Sequence, residues 1–393
     1  MDNHIPFHRP CIGQEEIDEV LRVMASGWLT TGPVAQRLER EFAAYVGCKF
    51  ALAVNSATSA LQLALDAIGL QPGDEVLLPT YTFAATAAVV VHFNARPVLC
   101  DSLAGGFNID PEDARRRVTA KTRAIIPVHI AGQPCDLESV QRVADRHGLH
   151  VIEDAAHALT ASYRGSRIGN VSELTAFSFY ATKTITTAEG GMLTTNNAEY
   201  AGRLARMRLH GISGDAWKRY AKEGSWYYEV LDAGYKCNLP DLLAAIGIAQ
   251  LAKCDRFYSR REEIAMMYRE RLATIEEVEL PPLSENGSQH SWHLFILRIR
   301  PELLEVGRNG FIDELKGLGI GTSVHFIPLH LQPFYQNKYG YRAGNFPKAE
   351  NAYSRSISLP IFPGMTDSDV DRVLGAIENI VCTHRKRVLV PAA

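Results

Sequence analysis

Neither a disulfide framework nor a zinc knuckle can be assembled from the cysteines. The seven of them (Cys11, Cys48, Cys100, Cys135, Cys237, Cys254 and Cys382) are odd in number, scattered and never spaced C-x-x-C, which implies a reducing compartment. Long apolar runs are also missing: the longest, "FAATAAVVV" (83–91), is about half of a bilayer span. The start "MDNHIPFHRP" places an acid and prolines where a signal peptide needs basic and apolar regions. These absences lead to the expectation of a cytoplasmic protein with no membrane partner. Charge of one sign is scarce too. The net charge is −3, no basic stripe occurs, and "THRKR" (383–387) is a single terminal cluster, so nucleic acid is not an expected partner. Neither G-x-x-x-x-G-K-[ST] nor G-x-G-x-x-G with a following acid is present, which sets aside nucleoside triphosphates and dinucleotides. The 13 histidines include no H-E-x-x-H, and "HGLH" (147–150) follows a helix expected to be exposed, so no metal centre is expected. Repeats and low-complexity linkers are absent.

What is there is an ordinary globular composition, 46% apolar and 22% charged, over 393 residues, enough for a large core and a smaller second unit. "GQEEIDEVLRVMASG" (13–27) reads as a helix with Ile17, Val20, Leu21 and Met24 on one face, and "PVAQRLEREFAAYVG" (33–47) as a second, opened by proline and closed by glycine. From residue 50 apolar strands alternate with amphipathic helices through "HVIEDAA", "ELTAFSFY" and "GGMLTTNN" (190–197). Such alternation predicts an α/β fold with a mostly parallel sheet between helices. After about residue 199 helices dominate. "DRFYSRREEIAMMYRERLATI" reads as a connector into a smaller α+β domain with strand candidates "WHLFILRI" and "TSVHFI" and a closing helix, "DSDVDRVLGAIENIV". The expected division is 1–255 and 256–393.

Ligands of such sheets bind at the strand ends. Three loops there carry chemistry. In "NSATSALQLAL", Ser56, Thr58 and Ser59 open an apolar helix, which makes either an anion cradle or a plain N-cap. In "VIEDAAHA" (151–158), Glu153 and Asp154 end a buried strand, where a carboxylate needs a cationic partner, a salt bridge or a cap, and His157 follows. In "SFYATKTITTAEGG" (178–191), Lys183 lies among small polar residues. It either snorkels from an edge strand or is a semi-buried amine that has lost part of its hold on a proton and attacks carbonyls. One cofactor uses all three features. Pyridoxal phosphate has a phosphate, a ring nitrogen that must stay protonated, and an aldehyde awaiting an amine.

With these loops, "SGWLTTGP" (26–33), "GDEVLLPTYTFAAT" (73–86), "IIPVHIAGQPCD" (125–136), "LHGISGDAWKR" (209–219), "GYKCNLPD" (234–241) and "LPIFPGMT" (359–366), the chain resembles the DegT/DnrJ/StrS family of nucleotide-sugar aminotransferases over essentially its whole length. The resemblance implies the aspartate-aminotransferase fold (fold type I), with a seven-stranded, mostly parallel sheet. It implies Lys183 as the amine that bonds pyridoxal 5'-phosphate, Asp154 as the partner of the ring nitrogen, and His157 and Phe83 as residues flanking the ring. Ser178 and the amides near Ala57 and Thr58 would hold the phosphate. Asn238 would reach the phosphate of the other subunit, making a homodimer with shared active sites. His210, His325 and His330 are implied near the substrate. L-glutamate would donate the amino group to a nucleotide-linked keto-sugar, for surface polysaccharide, lipid A or natural-product glycosylation. "EDAAHA" with "AEGG" is closest to the branch that aminates C4 of UDP-4-keto sugars, although Phe83 replaces that branch's tryptophan. The alternatives are a C3 aminotransferase, a sugar dehydratase, against which Lys183 argues because dehydratase relatives carry histidine there, and a non-catalytic regulator that binds the cofactor.

Overall fold

The structure, a computed structural model, describes residues 4–213, 227–284 and 287–386. The strands are β1 (Phe50–Val54), β2 (Glu75–Pro79), β3 (Arg96–Cys100), β4 (Thr122–Ile125), β5 (His150–Asp154), β6 (Ser162–Tyr163), β7 (Ser166–Arg167), β8 (Leu174–Ser178), β9 (Gly191–Thr195), β10 (Val278–Glu279), β11 (Phe295–Ile299) and β12 (Ser356–Leu359). A seven-stranded sheet has the order β1-β9-β8-β5-β4-β2-β3. Its strands are short apolar runs buried on both faces, as parallel strands under helices must be. All neighbours are parallel except β9, which runs antiparallel to both β1 and β8. The mostly parallel sheet expected from the sequence is therefore present. Its chain reversal lies at residues 179–190, where Lys183 sits.

Helices cover the sheet with local signals in place. Pro33–Val46 opens on proline and ends at Gly47 in the left-handed conformation (φ 84°), and Asp110 caps Pro111–Arg116 through the amides of Glu112 and Asp113. A second sheet, β10-β11-β12, packs with Cys254–Leu272 and Asp367–His384 around its own core of Ile264, Phe295, Leu297, Phe311 and Ile377. Ile5 belongs to that same core, so the start of the described chain lies against the C-terminal unit.

One expectation needs correction. "TSVHFI" is not a strand: Ser323 makes one bridge to Ser358, and the segment then turns so that the His325 carbonyl accepts from Tyr81. The apolar face of Gln14–Ser26 is not a core face. Ile17, Leu21 and Met24 are 47%, 55% and 58% exposed, while Glu16 and Val23 point inward. Glu16 is tolerated there because Lys253 (2.7 Å) and Gln250 (2.8 Å) donate to its carboxylate. No helix among the described residues is long and apolar enough to cross a membrane, and those residues hold no metal-ligand cluster.

Candidate active site

Beyond β8 the chain folds back on itself before entering β9. The Phe179 amide donates to Gly190 O (2.9 Å), the Thr187 amide to Phe179 O (3.0 Å) and the Lys183 amide to Tyr180 O (2.9 Å). Lys183 thus sits on a closed loop at the C-terminal edge of the sheet, lining a cavity of about 480 Å³. Burial lowers its pKa from 10.5 to about 8, against the opposing pull of the Asp154 carboxylate. The amine therefore has a substantial neutral fraction near physiological pH.

Asp154 ends β5 in the same cavity. The sheet fixes its backbone: its amide donates to Pro127 O (2.9 Å) and its carbonyl accepts from the His129 amide (3.2 Å). Its carboxylate accepts from the Thr86 hydroxyl (2.8 Å) and the Ala156 amide (3.2 Å), and Thr82 bonds Thr86 in turn (2.8 Å). Burial nevertheless raises its pKa, and it forms no ion pair among the described residues. Glu153, one residue earlier, points to the opposite face, as strand alternation requires. It is the structural member of the pair. The Cys135 amide donates to His129 Nδ1 (3.0 Å), so His129 Nε2 carries the proton and donates to Glu153 (2.7 Å). Ser172 and Thr175 donate to the other Glu153 oxygen.

The start of the helix Ala57–Ala67 also lines the cavity. Ser56 is its N-cap, accepting from the Ser59 amide (3.1 Å), so the capping reading of this loop holds. The cap leaves the first-turn amides of Ala57 and Thr58, which have no carbonyl four residues back within the helix, at the cavity wall beside Ser178. Gly191 makes this close approach possible: a Cβ there would lie 2.7 Å from Phe177 O and 2.8 Å from the Ala57 amide nitrogen, both backbone atoms. Gly191→Ala must displace that turn. We expect it to weaken phosphate-dependent cofactor binding at least about tenfold, the scale of one lost charge-assisted hydrogen bond. Titration of apo protein checks this, and unchanged affinity would remove the turn from the site.

The remaining walls are aromatic. His157 packs between His293 (4.5 Å between ring centroids) and Phe326 (5.7 Å), and Phe326 meets Phe83 (5.8 Å). Burial, with the nearby Lys183 cation, pushes the His157 pKa well below 6.5, and its Nδ1 is buried without a partner. His325 also lines the cavity, its Nδ1 held by Ser358 Oγ (2.9 Å). The structure thus gathers Lys183, Asp154, His157, Ala57, Thr58, Phe83, Ser178 and His325 around one space.

Three predicted residues lie elsewhere. His330 is fully buried, with Nδ1 at Thr80 (2.8 Å) and Nε2 at Glu350 (2.9 Å), so both ring nitrogens are committed to bracing. His210 is exposed at a left-handed turn (φ 60°) outside the cavity. Its motif, 209–219, falls partly outside the described residues. Asn238 does not line this chain's cavity and does not cap Asp241–Ala252; its amide donates to the Thr31 hydroxyl. Asp241 caps instead, accepting from the amides of Gly32 (2.7 Å) and Ala35 (2.9 Å) at the start of Pro33–Val46. Sequence reasoning missed Phe7, His8, His293 and Phe326 as lining residues, and Thr86 as the donor to Asp154. The Thr82/Thr86 spacing of four was the one available signal.

An amine of lowered pKa, a buried carboxylate in no ion pair among the described residues, free helix-start amides and an orphaned imidazole nitrogen fit a ligand that carries a carbonyl, a protonated ring nitrogen and a phosphate. The model of the DegT/DnrJ/EryC1/StrS aminotransferase family matches residues 10–378. The chain belongs to this aminotransferase family. It is 50% identical over 384 residues to an uncharacterised protein of Methanocaldococcus jannaschii, covering 98% of this chain and 99% of that one. It is 48% identical over 381 residues to the spore coat polysaccharide biosynthesis protein SpsC of Bacillus subtilis, covering 96% of this chain and 98% of SpsC. Among solved structures, a putative sugar aminotransferase of Streptococcus pneumoniae in its PMP form superposes with a TM-score of 0.91 at 34% identity, covering 96% of this chain and 99% of that one. Its PLP form gives 0.90 at 33% identity, covering 97% of this chain and 99% of that one. The aminotransferase fold is accordingly that of the DegT/DnrJ/EryC1/StrS family, with the Lys183 loop, Asp154 and the Ala57 turn at the C-terminal edge of its sheet.

Proposed function

We propose that this aminotransferase uses pyridoxal 5'-phosphate to transfer the amino group of L-glutamate to C4 of a nucleotide-linked keto-sugar. The observation that carries the reading is the convergence on one cavity of Lys183, whose pKa is lowered to about 8, the unpaired Asp154 carboxylate and the amides of Ala57 and Thr58. The sugar-related names of its relatives support the substrate class, and "EDAAHA" with "AEGG" supports C4. Pyridoxal phosphate, when bound, supplies the aldehyde that receives the amino group and the ring that takes up the electron pair left on the α-carbon.

This chain's residues supply the rest. Ala57, Thr58 and Ser178 hold the phosphate, and Gly191 lets the turn close on it. Asp154, held by Thr86 and Ala156, keeps a proton on the ring nitrogen, and that cation relieves the unfavourable burial of its carboxylate. His157 and Phe83 confine the ring. Lys183 Nζ would bond the cofactor's aldehyde, and as a neutral amine it would take the proton from the donor's α-carbon. The same amine would deliver a proton to the sugar carbon when the amino group is passed on.

A homodimer with sites shared through Asn238 fits the same reading. Asn238 lies outside its own chain's cavity and bonds Thr31, in the segment that follows the exposed stripe Ile17, Leu21, Met24 and Leu29. An apolar stripe of that kind is where a second copy packs. We further propose domains at 1–255 and 256–393, and a cytoplasmic location.

The test is a panel of nucleotide keto-sugars, varied in base and ketone position, incubated with ¹⁵N-glutamate and read by mass spectrometry. We expect label in a 4-amino sugar. Label at C3, dehydration without label, or label in no sugar would each refute the C4 reading.

A further inference from the structure

The segment from Ile5 to His8 walls the site from the opposite end of the sequence. Ile5 pairs with Ile320: its amide donates to Gly319 O (2.9 Å), and the Gly321 amide donates to Ile5 O (2.8 Å). A Cβ on Gly321 would lie 2.6 Å from Phe7 N, so the two backbones are in direct contact. The chain then passes along the cavity, where Phe7 stacks on His325 (5.4 Å, 27°) and His8 lies edge-on to Phe362 (6.1 Å, 66°). His8 Nε2 is 3.2 Å from the carbonyl oxygen of Ala181, two residues before Lys183. A carbonyl only accepts, so Nε2 carries the proton and donates it. Burial, with the nearby Arg261 and Lys183 cations, lowers the His8 pKa to about 4, which leaves the ring neutral with a single N–H. That one donor is committed to the Lys183 loop.

We propose that His8 is a positioning residue: its hydrogen bond to Ala181 holds the turn that aims Lys183 into the cavity and ties that turn, through the N-terminal strap, to the C-terminal unit. The catalytic consequence rests on reading Lys183 as the group that bonds the cofactor; the bond itself can be tested without cofactor. It matters because a displacement of about 1 Å at a reacting group costs up to about 10²-fold in rate.

Hydrogen exchange on the full-length apo chain is the test, comparing wild type, His8→Ala and His8→Gln. One net hydrogen bond shifts a local opening by about two- to tenfold. His8→Ala should therefore speed exchange of the Lys183 amide by that factor and leave β9 and β11 unchanged. His8→Gln, whose side-chain amide still donates, should restore slow exchange. In the loaded enzyme His8→Ala should lower kcat more than it raises KM. Wild-type exchange at 179–186 in His8→Ala, or glutamine behaving like alanine, would overturn the proposal. Faster exchange in His8→Ala, in a protein whose cofactor is fixed at another lysine, would uphold the bond and overturn the reading of Lys183 instead.

Discussion

Lys183→Ala is expected to lower glutamate-dependent amino transfer by about 10²- to 10⁴-fold, the range spanned by the loss of a positioned proton-transfer group. Lys183→Arg should fail as badly, because arginine keeps the charge but stays protonated at any working pH. The comparison separates a nucleophile from a mere cation. In the wild type, burial brings the pKa from 10.5 to about 8. At pH 7 about one amine in ten is then neutral, against about one in three thousand for an ordinary lysine. The rate at which apo protein captures pyridoxal phosphate should rise with pH through about 8 and level off above it. Because Asp154 pulls the amine's pKa upward, Asp154→Asn should move that midpoint below the wild-type value. Stopped-flow absorbance across pH reads both effects. A midpoint near 10.5 would mean that the amine is not desolvated.

Asp154→Asn is expected to slow the glutamate half-reaction at least about 10²-fold, because a neutral amide cannot hold the proton on the cofactor's ring nitrogen. The same change should not harm the fold. Burial raises the folded-state pKa of Asp154 above 3.8. It therefore costs no stability below that unfolded value, and stability falls as pH rises from there through the folded pKa. At pH 7 the asparagine variant of the apo protein should melt no lower than wild type, with the Thr86 hydroxyl turning to accept from the new amide. A large loss of Tm together with the loss of rate would make Asp154 a structural residue. Wild-type rates would remove it from the site.

The parallel sheet was legible because its strands are short apolar runs between amphipathic helices, and periodicity reports that directly. The reversal of β9 was not, since direction belongs to the connection and "GGMLTTNN" reads as a strand either way. The stripe of Ile17, Leu21 and Met24 was visible as a stripe, yet nothing local tells a core face from an exposed one. Glu153 and Asp154 show the same limit. Alternation says that two neighbouring carboxylates face opposite ways, but the packing of His129 and Thr86, far away in sequence, decides which one meets the cavity. Histidines were the hardest. His325 and His330 are five apart in one loop, and one lines the site while the other braces Thr80 and Glu350. His8, His293 and Phe326 reach the cavity around Lys183 only through the tertiary fold, which no short motif encodes.

The most direct test of the central claim, that Lys183 is the amine that bonds the cofactor, is chemical. Protein loaded with pyridoxal phosphate is reduced with borohydride, digested, and the modified peptide sequenced by mass spectrometry. One cofactor-bearing peptide is expected, with the mass on Lys183, absent from Lys183→Ala treated identically. A reduced adduct on any other lysine, or the same adduct yield in Lys183→Ala, would contradict the account.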